Sequence, residues 1–185
     1  GWNNTTVRKY EKLSRPRMTA ERNYFRSKLA PQADDETSLG DLILLDLAYT
    51  EDSPEIAIPD QWLPDIVSAL KRNLDIGIQL ETERGHYRWL DIPPIMPSDD
   101  PDISDYARNE GFTGAVLSYA ALFERLVELD VEKARRETST WPTDDDNVFA
   151  RLRIWASRFE TLVPNEDFND FFELVSRDAF WNIRH

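Results

Sequence analysis

Histidine chemistry is restricted in this chain because it has only two histidines, His86 and His185. Glu83 and His86 have the Glu-x-x-His spacing that places a carboxylate and an imidazole one helical turn apart in di-iron bundles. Gly85 lies inside the motif, and the sequence contains no second such pair. We therefore interpret His86 as a surface-loop residue and predict no metal site there.

Two acidic clusters have the residue types of a cation site. One matches the first three alternating positions of a calcium-binding loop: Asp100, Asp102 and Ser104. The match then fails, because the sixth position is Asp105 instead of Gly and the twelfth is Gly111 instead of Glu. The second cluster, Asp144–Asp146, precedes a predicted helix, where negative charge stabilises the helix N-terminus by about 0.3–1 kcal/mol. We interpret it as a solvated linker.

Other motifs that carry chemistry are missing from the sequence. It has no Gly-rich phosphate loop, no Gly-x-Ser-x-Gly nucleophile elbow and no Walker or Rossmann fingerprint. The absence of cysteine excludes thiolate metal sites, disulfides and a cysteine nucleophile. Paired carboxylates could still catalyse a reaction in so acidic a chain, but no spacing selects a pair. We predict no cofactor and no catalytic residue.

One carboxylate occupies an unexpected helical position. On a helix predicted for residues 111–137, Asp130 projects onto the middle of the apolar arc, in line with Phe112 and Phe123. Because a buried unpaired charge is very costly, either the helix bends at Asp130 or the carboxylate meets a cation. A structural ion pair or local exposure is one interpretation, and an acid with a shifted pKa in a pocket is the functional alternative. Asp130 is therefore a candidate binding residue.

The remaining candidate binding residues lie at two places. Phe112 stands where a long proline-rich loop, residues 83–110, enters the predicted helix. Helical spacing from Val148 onwards places three cations on the exposed side of a later helix: Arg151, Arg153 and Arg158. We predict that the binding surface includes the Phe112 junction and this arginine side.

Helical periodicity indicates the elements that would position these residues. The helix predicted for 111–137 has a broad apolar stripe, so we expect it to be the central helix of the fold. Further helices are predicted from Thr19 to Ala30, over Leu39–Tyr49, from about 61 to 82, from Val148, and around the aromatic residues that follow Asn165. Leu39–Tyr49 also has the length of a buried strand, but Leu and Ala outnumber β-branched residues, which favours a helix. The predicted fold is all-α, an irregular multi-helix bundle or a degenerate helical-repeat array.

Charge and length define the predicted domain organisation. The 185 residues carry a net charge of −13, yet residues 1–30 hold eight Lys or Arg and two Glu, a net charge of +6. We expect residues 1–18 to form a basic arm and residues 19–185 a single helical domain that is a fragment of a longer protein. The acidic body disfavours direct nucleic-acid binding. No run of about 18 apolar residues occurs, so we predict no membrane partner. The absence of cysteine fits a cytoplasmic protein, which is the location we predict.

The end of the chain resembles a known family. The segment Val148–Ala156 and the aromatic region Phe168–Trp181 are similar to the helical C-terminal regions of large bacterial sirtuin-like proteins implicated in phage defence. In that family the NAD-hydrolysing domain lies elsewhere in the chain, so the resemblance implies a region for assembly or sensing. No catalytic residue carries over, because the NAD-binding motifs do not occur here.

These observations lead to three functional hypotheses. The first is a non-catalytic helical interaction or scaffold domain of such a defence protein, bound to a protein partner or to flanking domains of the same polypeptide. The second is a free-standing acidic inhibitor or immunity-type protein that neutralises a basic target. The third, an enzyme that uses carboxylates in the proline-rich loop, lacks any supporting motif.

Overall fold

The computed structural model describes residues 1–22, 43–49, 57–87, 90, 92, 95 and 111–181. Within these residues the chain forms seven α-helices and one two-stranded sheet. The elements in chain order are α1 (Asn4–Leu13), β1 (Arg17–Arg22), β2 (Ile43–Ala48), a 3₁₀ turn (Asp60–Trp62), α2 (Leu63–Glu83), α3 (Gly111–Leu129), α4 (Val131–Thr138), α5 (Val148–Ala156), α6 (Phe168–Glu173) and α7 (Arg177–Phe180). The fold is all-α in class, as predicted. None of the described helices is long and apolar enough to cross a membrane.

The core forms where α2 packs against α3. Each helix buries one apolar stripe at helical spacing, and the stripe of α3 is the one that the sequence predicts. The residues it buries are Phe112, Val116, Tyr119, Ala120, Phe123, Leu126 and Val127. Gly77 of α2 faces Phe112, and a Cβ atom at that position would lie 2.7 Å from Cε2 of the phenyl ring. The close approach of the two helices therefore depends on a residue without a side chain.

The predicted continuous helix over 111–137 is wrong at one residue. Asp130 leaves the helical conformation, with φ −157° and ψ 88°, and separates α3 from α4. Its Oδ1 accepts a hydrogen bond from the backbone N–H of Lys133 at 3.1 Å, and its Oδ2 lies 3.0 Å from Lys133 Nζ. The hydrogen bond from the Lys133 side chain lowers the pKa of Asp130. The break takes the carboxylate out of the apolar arc and makes it the N-cap of α4.

We expect Asp130→Ala to lower the midpoint of thermal unfolding by roughly 2–4 °C, because the N-terminus of α4 would lose its cap. Asp130→Asn should keep most of the stability, because an Asn oxygen also accepts the N–H bond. Thermal unfolding followed by circular dichroism measures both. Equal losses in the two variants would show that the negative charge, not the cap, is what matters.

Two predicted helices are wrong in their described parts, because β1 and β2 form an antiparallel pair instead. Thr19 to Arg22 belong to β1, where a helix from Thr19 was predicted, and Ile43–Ala48 is a strand within the segment predicted as a buried helix. Residues 23–42 lie outside the described part of the chain. The register brings Met18 opposite Leu47 and Ala20 opposite Leu45. Side chains directly opposite share a side of the sheet, so Met18, Ala20, Leu45 and Leu47 lie on one side and Asp46 lies on the other.

The first 18 residues, predicted as a basic arm, include a helix that packs on α2. Asn3 caps α1 by accepting the N–H of Thr6 at 3.0 Å, and Val7 is buried. At the other end of α1, Nδ2 of buried Asn73 donates to the carbonyl of Glu11 and to Ser14 Oγ, both at 2.9 Å. The order of this segment therefore comes from contacts within the chain.

Candidate interaction surface

The structure contradicts the predicted exposure of Arg153. Its side chain is only 2% exposed, because α5 is covered on nearly all sides. The guanidinium donates to the carbonyls of Pro142 and Trp141, each at 2.6 Å. Burial lowers the pKa of Arg153. Its role in the structure is to satisfy two backbone carbonyls of the segment that joins α4 to α5.

Arg151 is likewise buried, at 5% exposure, which also contradicts the prediction. Its Nε donates to Asn147 Oδ1 at 3.1 Å, and another guanidinium nitrogen donates to the carbonyl of Ile92 at 2.8 Å. It therefore joins α5 to a distant part of the chain. Neither buried arginine can form a binding surface.

Arg158 is the one member of the predicted arginine set that is exposed, and it is engaged by its own chain. It donates to Glu124 Oε1 of α3 at 2.7 Å. Its guanidinium carbon lies 5.0 Å from the ring centre of Trp155 and 4.7 Å from that of Phe159. The side chain thus links the end of α5 to α3 through an ion pair and cation–π contacts.

Phe112, the other candidate at the loop junction, is a core residue at 4% exposure. Its ring centre lies 5.9 Å from that of Tyr49, which follows β2. The Tyr49 hydroxyl donates to Glu81 Oε1 at 2.9 Å, and the guanidinium of Arg84, the C-cap of α2, lies 3.0 Å from Asp46 Oδ1. The junction therefore attaches the sheet to the helices.

Among the described residues, three tyrosine–carboxylate hydrogen bonds join segments that are distant in sequence: Tyr49 with Glu81, Tyr87 with Asp145, and Tyr119 with Glu137. Glu137 is buried and also accepts from Ser68 Oγ at 2.7 Å, while Trp141 Nε1 donates to the Tyr119 hydroxyl at 2.8 Å. Burial, followed by the neighbouring carboxylate, raises the pKa of all three tyrosines. Each phenol therefore remains a neutral hydrogen-bond donor and is a poor catalytic base or nucleophile.

The raised tyrosine pKa values predict a response to alkaline pH. The folded state keeps these phenols protonated, whereas the unfolded chain ionises them near pH 10, so the stability that the three tyrosines contribute should be constant below about pH 10 and fall above it. As the pH is raised, the tyrosinate absorbance of the native chain should increase at a higher pH than that of the urea-unfolded chain. The increase should occur in one step, together with the loss of helix. Coincident titration of the native and unfolded chains would contradict these hydrogen bonds.

The residues with metal-binding types do not converge within the described part of the chain. No group of three or more His, Asp or Glu side chains there could hold a metal ion. Glu83 and His86 are both exposed. Asp145 accepts the N–H of Phe149 at 2.7 Å as well as the Tyr87 hydroxyl, so it holds the start of α5. The calcium-like segment around Asp100 lies outside the described residues.

The most unusual surface in the described structure lies on α6 and α7. Phe171 packs on the main core, and Val175 and Ala179 pack against Ala150 of α5, so these three side chains fix the two short helices to the body. Five other apolar residues of this segment are exposed or half-buried and form the C-terminal aromatic surface: Phe168, Phe172, Leu174, Phe180 and Trp181.

The rings of this surface form a continuous series. Ring centres are 4.6 Å apart for Phe168 and Phe172, 5.8 Å for Phe172 and Phe180, and 5.2 Å for Phe180 and Trp181. Trp181 is 71% exposed and Phe180 is 47% exposed. Five exposed carboxylates lie among these residues in the sequence and form what we term the acidic rim: Glu166, Asp167, Asp170, Glu173 and Asp178. Apolar rings beside negative charge can bind a partner that offers cations and apolar groups.

Comparisons with known proteins do not identify a family for this chain. Protein-family profiles, characterised proteins and solved structures all gave no match. The function must therefore be inferred from the surface itself.

Helical periodicity does not reveal this surface. It predicts that Phe168, Phe171, Phe172 and Val175 share one large aromatic face. The structure divides them, because Phe171 and Val175 turn inward whereas Phe168 is exposed. The sequence feature that indicates an exposed aromatic surface is the number of aromatic residues between 168 and 181, which exceeds what one side of two short helices can bury.

Proposed function

We propose that this chain is a non-catalytic helical interaction domain that binds a protein partner through its C-terminal aromatic surface. The observation that carries the proposal is the series of contacting aromatic rings that ends at the exposed Trp181. Exposed apolar patches of this kind mark interaction sites, and Trp is among the residues that contribute most to binding energy at interfaces. The arginine set is not part of this proposal.

The resemblance to sirtuin-like phage-defence proteins extends the proposal. The similar region includes Phe168–Trp181, which is the segment that carries the aromatic surface. We propose that the chain is the assembly or sensing part of a multidomain bacterial defence protein that acts in the cytoplasm. Its partner would then be a separate protein or a flanking domain of the same polypeptide.

The acidic rim favours a second candidate function, an acidic inhibitor of a basic protein. Five exposed carboxylates that are close in sequence to apolar rings would suit a cationic target. The basic α1 counts against it, since that helix would repel such a target. An inhibitor would abolish the activity of its purified target at one-to-one stoichiometry, whereas an assembly domain would leave the partner's activity intact.

Site-specific photo-crosslinking in the host tests the interaction domain. A photoreactive phenylalanine analogue replaces Trp181 in the natural gene product, and a control carries it at Glu128, an exposed residue of α3. We expect a discrete protein crosslink, intermolecular or to a flanking domain, from position 181 and none from position 128. Absence of a product at 181, or the same products from both positions, would contradict the proposal.

A further inference from the structure

The N-terminal helix presents a surface of opposite charge to the acidic rim. Val7, Tyr10 and Glu11 lie on the side of α1 that faces the body, where Glu11 accepts a hydrogen bond from Arg72 at 3.0 Å. Three exposed cations lie on the other side and define the basic face of α1: Arg8, Lys9 and Lys12. None of the three forms an ion pair within the described residues.

The carboxylates of the acidic rim are also exposed and without an ion pair in the described part of the chain. All five are exposed, and none forms an ion pair with another described residue. Arg177 is the one cation among the residues from 164 to 181, so that segment has a net charge of −4. The molecule thus carries two exposed surfaces of opposite charge that do not cover each other.

We propose that the basic face of α1 in one copy of the chain binds the C-terminal aromatic surface of a second copy. This inference rests on the proposed interaction function and names the partner. Lys and Arg heads would pair with the acidic rim, and their aliphatic stems would lie on the rings. The chain already contains such contacts in Arg158 over Trp155 and Phe159, and in Lys71, whose Nζ lies 5.7 Å from the ring centre of Phe149.

The two surfaces differ, so this contact is heterologous. Each bound copy still offers one basic face and one aromatic surface, which lets further copies add head to tail. The assembly is therefore a ring if the rotation closes, and an open chain if it does not. Such a contact depends on charge, so raising the salt concentration from about 0.05 M to about 0.5 M should weaken association by at least about tenfold.

Complementary charge reversals provide the test. One variant carries Lys9→Glu and Lys12→Glu, and the other carries Asp170→Lys and Glu173→Lys. Sedimentation velocity should show that each variant alone associates at least about tenfold more weakly than the wild type, because like charges then face each other. A one-to-one mixture of the two variants should associate again, because each reversed surface finds an opposite charge on the other variant. A control matched to the second variant, Glu128→Lys with Asp144→Lys, makes the net charge more positive by the same amount as that variant and should associate like the wild type.

Several outcomes overturn the inference. A wild-type chain that remains monomeric up to about 1 mM lacks this contact. A mixture as monomeric as its separate variants, or a control as weakened as the surface variants, also excludes it. Circular dichroism of each variant verifies folding, and all the substituted residues are exposed. If self-association fails but position 181 still crosslinks to another protein, the interaction function stands and only the second-copy partner is wrong.

Discussion

Replacing Arg153 with alanine is expected to lower the free energy of unfolding by about 3–5 kcal/mol. The substitution removes a buried guanidinium and leaves the carbonyls of Trp141 and Pro142 without donors in a nearly solvent-free place. It also opens space beside α5, whose residues are almost all buried. Chemical denaturation followed by circular dichroism measures the loss.

Arg158→Ala is the matched control for Arg153→Ala. It removes the same side-chain type from the end of the same region, but Arg158 is exposed and forms a surface ion pair. Its expected cost is below about 2 kcal/mol, the sum of a surface ion pair and its cation–π contacts. Equal losses in the two variants would contradict the burial of Arg153. Such a result would indicate that Arg153 is exposed, as the sequence predicts.

Replacing Trp181 with serine is expected to weaken partner binding by about thirtyfold or more, which corresponds to roughly 2 kcal/mol. The indole is the most exposed large apolar side chain of the described residues and stands at the end of the ring series. The same variant should melt within about 2 °C of the wild type, because an exposed side chain contributes little to the core. The dissociation constant of the complex identified by crosslinking provides the measurement.

Two comparisons make the Trp181 result specific. Trp181→Phe keeps an aromatic ring at the position and should retain most of the affinity. Trp141→Ser alters a buried tryptophan whose Nε1 donates to Tyr119, so it should destabilise the fold strongly. Wild-type affinity in Trp181→Ser, or a loss of stability as large as that of Trp141→Ser, would show that Trp181 serves the fold instead of a partner.

The sequence predicted the helices whose periodicity is local. The apolar stripe of α3 and the helix predicted from about 61 to 82, which is α2 (Leu63–Glu83), appear in the structure as expected. Asp130 was recognised as unusual, but the pattern could not decide between a buried pair and a helix break. The decision depends on Lys133, which supplies both the N–H and the ammonium group that hold the carboxylate at the break.

The errors have a common physical cause, which is contact between distant segments. Ile43–Ala48 has helix-forming residues, yet pairing with β1 gives it a strand conformation. Arg151 and Arg153 have an amphipathic spacing, yet carbonyls from Ile92, Trp141 and Pro142 cover them. Local periodicity contains no information about which loop returns over a helix. For the same reason it could not show which apolar side of α6 would remain exposed.

Hydrogen–deuterium exchange tests the central claim most directly. The complex is purified from the host by capturing this chain together with its bound partner. The amide exchange of the chain in the complex is then compared with that of the chain alone. We expect the backbone amides of residues 168–181 to exchange at least about tenfold more slowly in the complex, because the C-terminal aromatic surface is then covered. Exchange around Arg153 should not change. Unchanged exchange across 168–181, with protection elsewhere in the chain, would contradict the claim that this surface is the binding site.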